Sequence, residues 1–148
     1  MKRLGALTAA LLLASCGDPE AARQERVHDM MGTVMQPGAE SIWDRAGYIV
    51  TEEGEESLFP KTDAEWQDVA DAAEEMAELG RRLQTADYAP DQDAWLDYSK
   101  GVVLASEQIE AAVAERDEGA LFNAGGILYN ACVGCHQTYV PDIVDNTT

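Results

Sequence analysis

Residues 95–112 read WLDYSKGVVLASEQIEAA and carry the clearest indication of the fold in this sequence. Its apolar side chains recur every three or four positions, which places them on one face of an α-helix. A helix with such a face must bury it against other elements, and this spacing is typical of helix bundles. The stripe consists of Trp95, Tyr98, Val102, Ala105, Ile109 and Ala112.

Two helical segments are predicted before this stretch. Residues 21–50 carry apolar side chains at helical spacing, but Pro37 lacks a backbone donor, so we expect a kink or a break there or the start of a second helical piece. Residues 51–61 are rich in glutamate and predict a loop. Thr62 and Glu65 then match a capping box, which predicts the start of the next helix.

A last helix is predicted from Leu121 to His136, after a turn at residues 116–119. Pro90 is suited to the first turn of the preceding helix, the one that carries the stripe from Trp95 to Ala112. The pair Gly125–Gly126 lowers helix stability, which indicates either close approach of a neighbouring group or an irregular first turn. No strand pattern competes, so the sequence predicts an all-α fold, an antiparallel four-helix bundle over residues 21–140.

The last helix ends in the motif Cys132-Val133-Gly134-Cys135-His136. Two thiols three residues apart, followed by an imidazole, are typical of the covalent attachment of one c-type haem. On a helix, Cys132 and His136 share a face and Cys135 lies beside them, so both thiols can form thioethers while His136 binds the iron. A redox dithiol or an unmodified pair is the alternative. The other histidine and cysteine, His28 and Cys16, are not at the spacing that a zinc site requires.

The first residues predict export. Lys2 and Arg3 precede a short apolar run, which is typical of a signal peptide. Leu13-Ala14-Ser15-Cys16 resembles a bacterial lipobox, so we expect removal of residues 1–15, lipidation of Cys16, a tether over residues 16–20 and a polar tail over residues 141–148. The expected location is the periplasmic side of a bacterial membrane, through the lipid anchor, or the periplasm itself if the signal peptide is an ordinary one.

The charge of the chain limits its partners. The net charge is −18, which repels nucleic acid and anionic lipid headgroups. Membrane association is therefore expected only through the anchor at Cys16. An acidic surface favours a basic redox partner protein.

Four helices with the haem motif near the end of the last one resemble the cytochrome c prime family, including its six-coordinate, low-spin members. The resemblance implies that His136 is the proximal iron ligand and that a residue of the first helix lies over the other haem face. It also implies a contact between Arg26 and a haem propionate, and a homodimer through the first two helices. The basic residue that many members carry after the aromatic residue behind the motif is replaced here by Val140.

Three residues are candidates for the distal iron ligand. Met31 is preferred, because it shares a stripe with Val27 and Val34; Met30 is the second candidate, and His28 the third. Methionines that only fill space around the haem are the alternative. A methionine ligand predicts an electron-transfer protein, whereas an empty sixth position predicts a five-coordinate haem protein that binds nitric oxide or carbon monoxide. No enzyme activity is predicted.

Overall fold

The computed structural model of the protein describes residues 18–90 and 93–141. The predicted signal peptide, Cys16 and nearly all of the polar tail lie outside the described residues. Helices make up most of the described chain. They are α1 (Pro19–Met30), α2 (Gln36–Trp43), α3 (Asp63–Leu83), α4 (Ala94–Glu115) and α5 (Glu118–Tyr139).

A π-helical turn, Met31–Met35, joins α1 to α2 without an intervening loop. The N–H of Gln36 donates to the carbonyl of Met31, five residues back, which is the wider pattern of a π-helix. Pro37 follows directly and has no N–H to offer the preceding turn. The predicted irregularity at Pro37 is therefore a π-helical turn just before it, and the second helical piece begins at Gln36.

The predictions for residues 44–57 were wrong. The first helical segment ends at Trp43 rather than near Val50, and a hairpin follows, formed by β1 (Tyr48–Thr51) and β2 (Gly54–Ser57). The strands pair antiparallel, and Gly54 has φ of 141°, a conformation that favours glycine at this turn. Tyr-Ile-Val-Thr is a run of aromatic and β-branched residues, which fit a strand better than a helix.

The capping box at the start of α3 is confirmed. Thr62 Oγ1 accepts the Glu65 N–H at 3.2 Å, and the Glu65 carboxylate accepts the Thr62 N–H at 2.9 Å.

The expectation for Pro90 was wrong, since α4 begins at Ala94, four residues later. The turn between α4 and α5 is shorter than predicted: Arg116 adopts a left-handed conformation with φ of 53°, and Asp117 already caps α5.

The core lies between α2, α3, α4 and α5. Helices α3 and α4 are antiparallel. Trp95 at the start of α4 donates to the carbonyl of Leu83 at the end of α3, and Gly80, earlier in α3, lies against Val103, later in α4. Residues of the α4 stripe are buried together with side chains of α2, α3 and α5, so the predicted helical bundle is present. α1 is the exception: among the described residues it has no extensive packing against α3, α4 or α5. The fully buried side chains include Ile42, Val69, Met76, Ile109, Leu121 and Leu128.

Gly125 and Gly126 lie in regular α-helix, which excludes an irregular first turn, one of the two alternatives for this pair. A Cβ at Gly125 would lie 3.6 Å from both Ala46 and Trp43, and the Trp43 indole donates to the Gly125 carbonyl at 3.1 Å. Gly125 therefore allows the close approach that was expected. None of the helices described is both long enough and apolar enough to cross a membrane.

Candidate functional site

The motif Cys132–His136 lies in the last turns of α5, which stays α-helical to Tyr139. Its predicted helical conformation is confirmed. The side chains of Cys132, Cys135 and His136 are all partly buried, on the side of α5 that faces the bundle. The two sulfurs and the imidazole are therefore presented to the interior by one rigid element.

The ring of Tyr98 in α4 packs against Gly134 of the motif. A Cβ at Gly134 would lie 2.7 Å from the Tyr98 ring, so only glycine leaves room for this ring. Thr138 Oγ1 donates to the Gly134 carbonyl at 2.9 Å and lies 3.1 Å from the Tyr98 hydroxyl. Because Thr138 has one hydroxyl hydrogen, Tyr98 is the donor of the second bond. These contacts fix the helix that carries both cysteines against α4.

Burial raises the pKa of the Cys132 thiol to about 11 from 9.0. Desolvation disfavours the charged thiolate, which is the nucleophilic form of a thiol. The polypeptide therefore holds Cys132 as a neutral thiol at neutral pH. This environment makes the Cys132 thiol a poor nucleophile in thiolate exchange.

A small apolar cavity of about 70 Å³ lies inside the bundle next to the motif. Cys132, Cys135 and His136 form one side of it. Side chains of α2, α3, α4 and the π-helical turn close the other sides, among them Met35, Trp43, Met76 and Val102. Most of these groups are apolar, so a large apolar ligand could extend into this space.

A larger cavity of about 590 Å³ separates α1 from the C-terminal end of α5. Cys135, His136 and Tyr139 line it on the α5 side, and Val27 and Met31 line it on the other. This volume lies within the range of about 300–1,000 Å³ that is usual for cofactor and ligand sites. The two cavities share five lining residues, which are Met31, Gln36, Trp95, Cys135 and His136.

The three distal candidates lie in different surroundings. Met31 is partly buried in the π-helical turn and lines both cavities, as His136 does. Met30 is 4 % exposed, belongs to the packed core and is not among the residues that line either cavity. His28 is exposed and lines only the larger cavity. Met31 therefore shares both cavities with residues of the motif, whereas His28 shares only the larger one.

Arg26, the predicted propionate contact, bonds to the backbone of a neighbouring segment. Its guanidinium donates two hydrogen bonds, of 3.2 and 3.0 Å, to the carbonyl of Asp87, and it does not line the cavities. These bonds tie α1 to the segment before α4. Arg23, one turn earlier, lines the larger cavity and pairs with Glu20. Arg23 is the only arginine or lysine among the residues lining that cavity, and the sequence analysis did not single it out.

Two aromatic side chains form a fixed wall that the sequence analysis did not assign to the site. Trp95 donates its indole N–H to the Leu83 carbonyl at 2.6 Å, and its ring meets the Tyr139 ring edge to face at 5.0 Å. Both line the larger cavity. The available signal was the position of Trp95 at the start of the α4 stripe and of Tyr139 three residues after His136.

The residues present fit a covalently bound haem. The last helix contributes two sulfurs and an imidazole to the lining of the cavities, the π-helical turn contributes a thioether, most of the lining surface is apolar, and the Arg23 guanidinium lines the larger cavity. Within residues 18–90 and 93–141 there is no group of three or more His, Cys, Asp or Glu side chains placed to hold a metal ion by themselves. Comparison with protein-family models, with curated proteins and with solved structures found no match to this chain.

Proposed function

We propose that the protein is an exported c-type cytochrome that transfers single electrons. One observation carries the proposal. Met31 and the pair Cys135 and His136, more than a hundred residues apart in the sequence, line the same cavity of about 590 Å³. A chain without a large apolar cofactor gains nothing from holding α1 away from α5, because apolar walls are more stable when they pack against each other.

In this proposal the residues of the chain divide the work. Cys132 and Cys135 hold the haem through thioether bonds, and His136 binds the iron from the α5 side. Met31 binds it from the side of the π-helical turn, and thioether ligation raises the reduction potential. Trp95 and Tyr139 exclude water from one edge of the site, while Arg23 offers a positive charge for a propionate. When bound, haem iron supplies the one-electron redox couple.

The proposal includes the location and the family. The signal sequence, the lipobox cysteine Cys16 and the haem motif support attachment to the periplasmic side of a bacterial membrane, where c-type haem is attached. The helical bundle with the motif near the end of its last helix supports membership of the cytochrome c prime family. The net charge of −18 supports a basic redox partner protein.

Covalent attachment is tested by the intact mass of the denatured protein, after expression in cells that attach c-type haem. The expected mass is that of the processed chain plus one haem. The double variant Cys132→Ala/Cys135→Ala should lack this addition and serves as the control. A wild-type mass without haem, from cells that load another c-type cytochrome normally, would contradict the proposal.

Nitric oxide separates electron transfer from the alternative, a five-coordinate gas-binding protein. With Met31 bound to the iron, the reduced protein should bind nitric oxide slowly, because the thioether must first dissociate. Rapid and tight binding to the wild-type protein would favour the gas-binding alternative. The rate is measured by stopped-flow absorption.

A further inference from the structure

Trp43, at the end of α2, lines two separate spaces. One is the cavity of about 70 Å³ that Cys132, Cys135 and His136 also line. The other is a groove of about 380 Å³ at the surface, between α5 and the end of α2. Trp43 is the residue that the linings of these two spaces share. A single side chain therefore joins the space beside the motif to this part of the surface.

An aromatic contact continues from Trp43 to the solvent. The Trp43 and Tyr129 rings meet edge to face with their centroids 5.8 Å apart, and Tyr129 is 55 % exposed. The Trp43 indole N–H donates to the Gly125 carbonyl at 3.1 Å, which fixes the orientation of the ring. Electron transfer slows steeply as the distance between two redox centres grows. A redox partner therefore gains from docking where little of the protein separates it from the motif, as at this groove.

The face of α5 that borders the groove is uncharged. After Glu118 the helix contains no Asp, Glu, Lys or Arg, although the whole chain has a net charge of −18. Phe122 and Ile127 line the groove and are 53 % and 43 % exposed. The centres of protein–protein interfaces are depleted of charge and enriched in aromatic side chains. This face therefore has the composition of an interface centre.

Exposed carboxylates lie next to this uncharged face. Asp44 directly follows α2, and Glu118 begins α5. The cations beside them in the sequence, Arg45 and Arg116, form ion pairs with carboxylates of α3. Negative charge beside an uncharged centre is complementary to a partner whose apolar contact patch is surrounded by lysine and arginine.

We propose that this face is the docking site of a basic one-electron redox protein, and that Trp43 and Tyr129 lie on the path of the electron. The inference rests on the proposed function, because it takes the haem iron as one of the two redox centres. One electron passes between the iron and the metal centre of the partner, so one centre is oxidised as the other is reduced, and no proton moves. Trp43 and Tyr129 keep their own oxidation state and provide a packed path.

Two other surfaces suit this partner less well. The large cavity lies beneath α1, and five of the twelve residues of α1 are charged, with both signs present. The cleft between α3 and α4 is lined by acidic residues such as Asp71, Glu74 and Glu110, but its lining shares no residue with the cavities beside the motif. The acidic chain as a whole attracts the partner over a distance, and the uncharged face decides where it docks.

Nuclear magnetic resonance of the reduced, haem-loaded protein maps the docking site. The probe is a small basic cytochrome c of the mitochondrial type in which zinc replaces the iron, so that it binds in the dark without exchanging electrons. At low salt we expect amide shifts within residues 122–130 and at the end of α2, and weaker binding as salt screens the attraction. Shifts that leave residues 122–130 unaffected, or no binding at low salt, would overturn the proposal.

A pair of matched variants separates docking from net charge. Phe122→Lys places a cation on the face and should raise the dissociation constant of the probe about tenfold or more. Leu104→Lys changes the net charge equally, but Leu104 is 57 % exposed on α4 and does not line the groove, so it should have little effect. Ile127→Lys replaces Phe122→Lys if circular dichroism shows that the latter is misfolded. Equal effects of the groove variant and the control would overturn the docking site.

Stopped-flow oxidation of the reduced protein by the iron form of the same probe tests the electron path. Tyr129→Leu should lower the rate constant at saturating probe several-fold, while the reduction potential stays the same. An unchanged rate constant would overturn the path.

The mass of covalent haem and the low-spin spectrum should be unchanged in all these variants. The docking site can therefore fail while the proposed function stands. A wild-type protein without covalent haem would instead contradict the proposed function itself.

Discussion

At the scale of single residues, Met31 and Met30 are adjacent in sequence but have different surroundings. Met31 lines both cavities beside the motif, whereas Met30 is 4 % exposed within the core. The difference follows from the helical backbone, because neighbouring residues on a helix are rotated by about 100°. A ligand role for Met31 and a packing role for Met30 are therefore separable by mutation.

Met31→Ala should open the sixth position of the iron. We expect loss of the low-spin spectrum, faster binding of nitric oxide and a reduction potential lower by on the order of 0.1 V, since axial ligands span about 0.8 V. Met30→Ala is the control and should keep the low-spin spectrum while costing about 2–5 kcal/mol in the free energy of unfolding. A low-spin spectrum unchanged in Met31→Ala would exclude Met31 as the ligand.

The Cys132 thiol predicts a pH effect in the haem-free protein. Its pKa of about 11 in the folded chain exceeds the ordinary value of 9.0, so the unfolded state loses its proton first as the pH rises. The contribution of this thiol to the free energy of unfolding should therefore be fully present and constant below pH 9, and should be lost between about pH 9 and 11, by at most about 3 kcal/mol.

Chemical denaturation of haem-free protein at several pH values measures this change. In haem-free Cys132→Ala, the part of this fall in the free energy of unfolding that comes from the thiol should be absent. It should also be absent in the haem-loaded protein, because the thioether has no proton to lose. At pH 8 the thiol of the folded chain should also react with iodoacetamide more slowly than the thiol of the chain in denaturant. Equal reaction rates in the two states would contradict the buried environment of Cys132.

At the scale of elements, α3 depends on its N-terminal cap. Backbone N–H groups of Lys61 and Thr62 and the Thr62 hydroxyl bind the Glu65 carboxylate and lower the pKa of Glu65. Thr62→Ala should lower the free energy of unfolding by about 1 kcal/mol, because the Glu65 N–H loses its acceptor. Thermal and chemical denaturation measure the loss.

The same cap gives a dependence on acid. A carboxylate with a lowered pKa stabilises the fold above its unfolded pKa and loses that contribution as the pH falls through its folded pKa. Glu65→Gln should therefore reduce the loss of stability on acidification, with Glu74→Gln, an exposed residue of the same helix, as the control. Identical acid dependence in Glu65→Gln and wild type would contradict the role of the cap.

The sequence predicted most helical elements but not their irregular connections. The α4 stripe and the Thr62 cap are local signals, so α3 and α4 were found within a few residues of their observed ends. The hairpin was missed because the four glutamates around Gly54 are typical of a loop. The hairpin is also stabilised by tertiary packing, since the rings of Tyr48 and Phe59 meet edge to face with their centroids 5.2 Å apart. Such a contact joins segments that a local pattern treats separately.

The sequence singled out the motif residues of the candidate site but only some of the residues that surround them. The motif identified Cys132, Cys135 and His136 because their spacing alone carries the information. Arg23 and Trp95 were not assigned to the site, since their places depend on how α1 and α4 approach α5. The rotation of the chain through the π-helical turn, which a helical wheel of constant pitch does not contain, also affects which side chains reach the cavity.

At the scale of the whole molecule, α1 is the loosely packed element. It lacks extensive packing on α3, α4 and α5, and the cavity of about 590 Å³ lies beneath it. Its described links to the rest of the chain include the π-helical turn and the bonds from Arg26 to Asp87. A cofactor in the cavity would therefore contribute much of the contact that holds α1 in place.

Trypsin measures how firmly α1 is held, because it cleaves after Arg23 and Arg26. We expect faster cleavage there in haem-free than in haem-loaded protein, by about tenfold for each 1.4 kcal/mol that haem contacts add to the docking of α1. Arg81 and Arg82, in the packed helix α3, should be protected in both forms and serve as internal controls. Equal cleavage of α1 in both forms would contradict a cofactor between α1 and α5.

The absorption spectrum of the purified protein, oxidised and reduced, tests the central claim most directly. We expect haem bands that remain after the protein is denatured and extracted, together with a low-spin spectrum in both oxidation states. Both features should need Cys132, Cys135 and His136. A protein from haem-attaching cells that shows no haem bands would contradict the account.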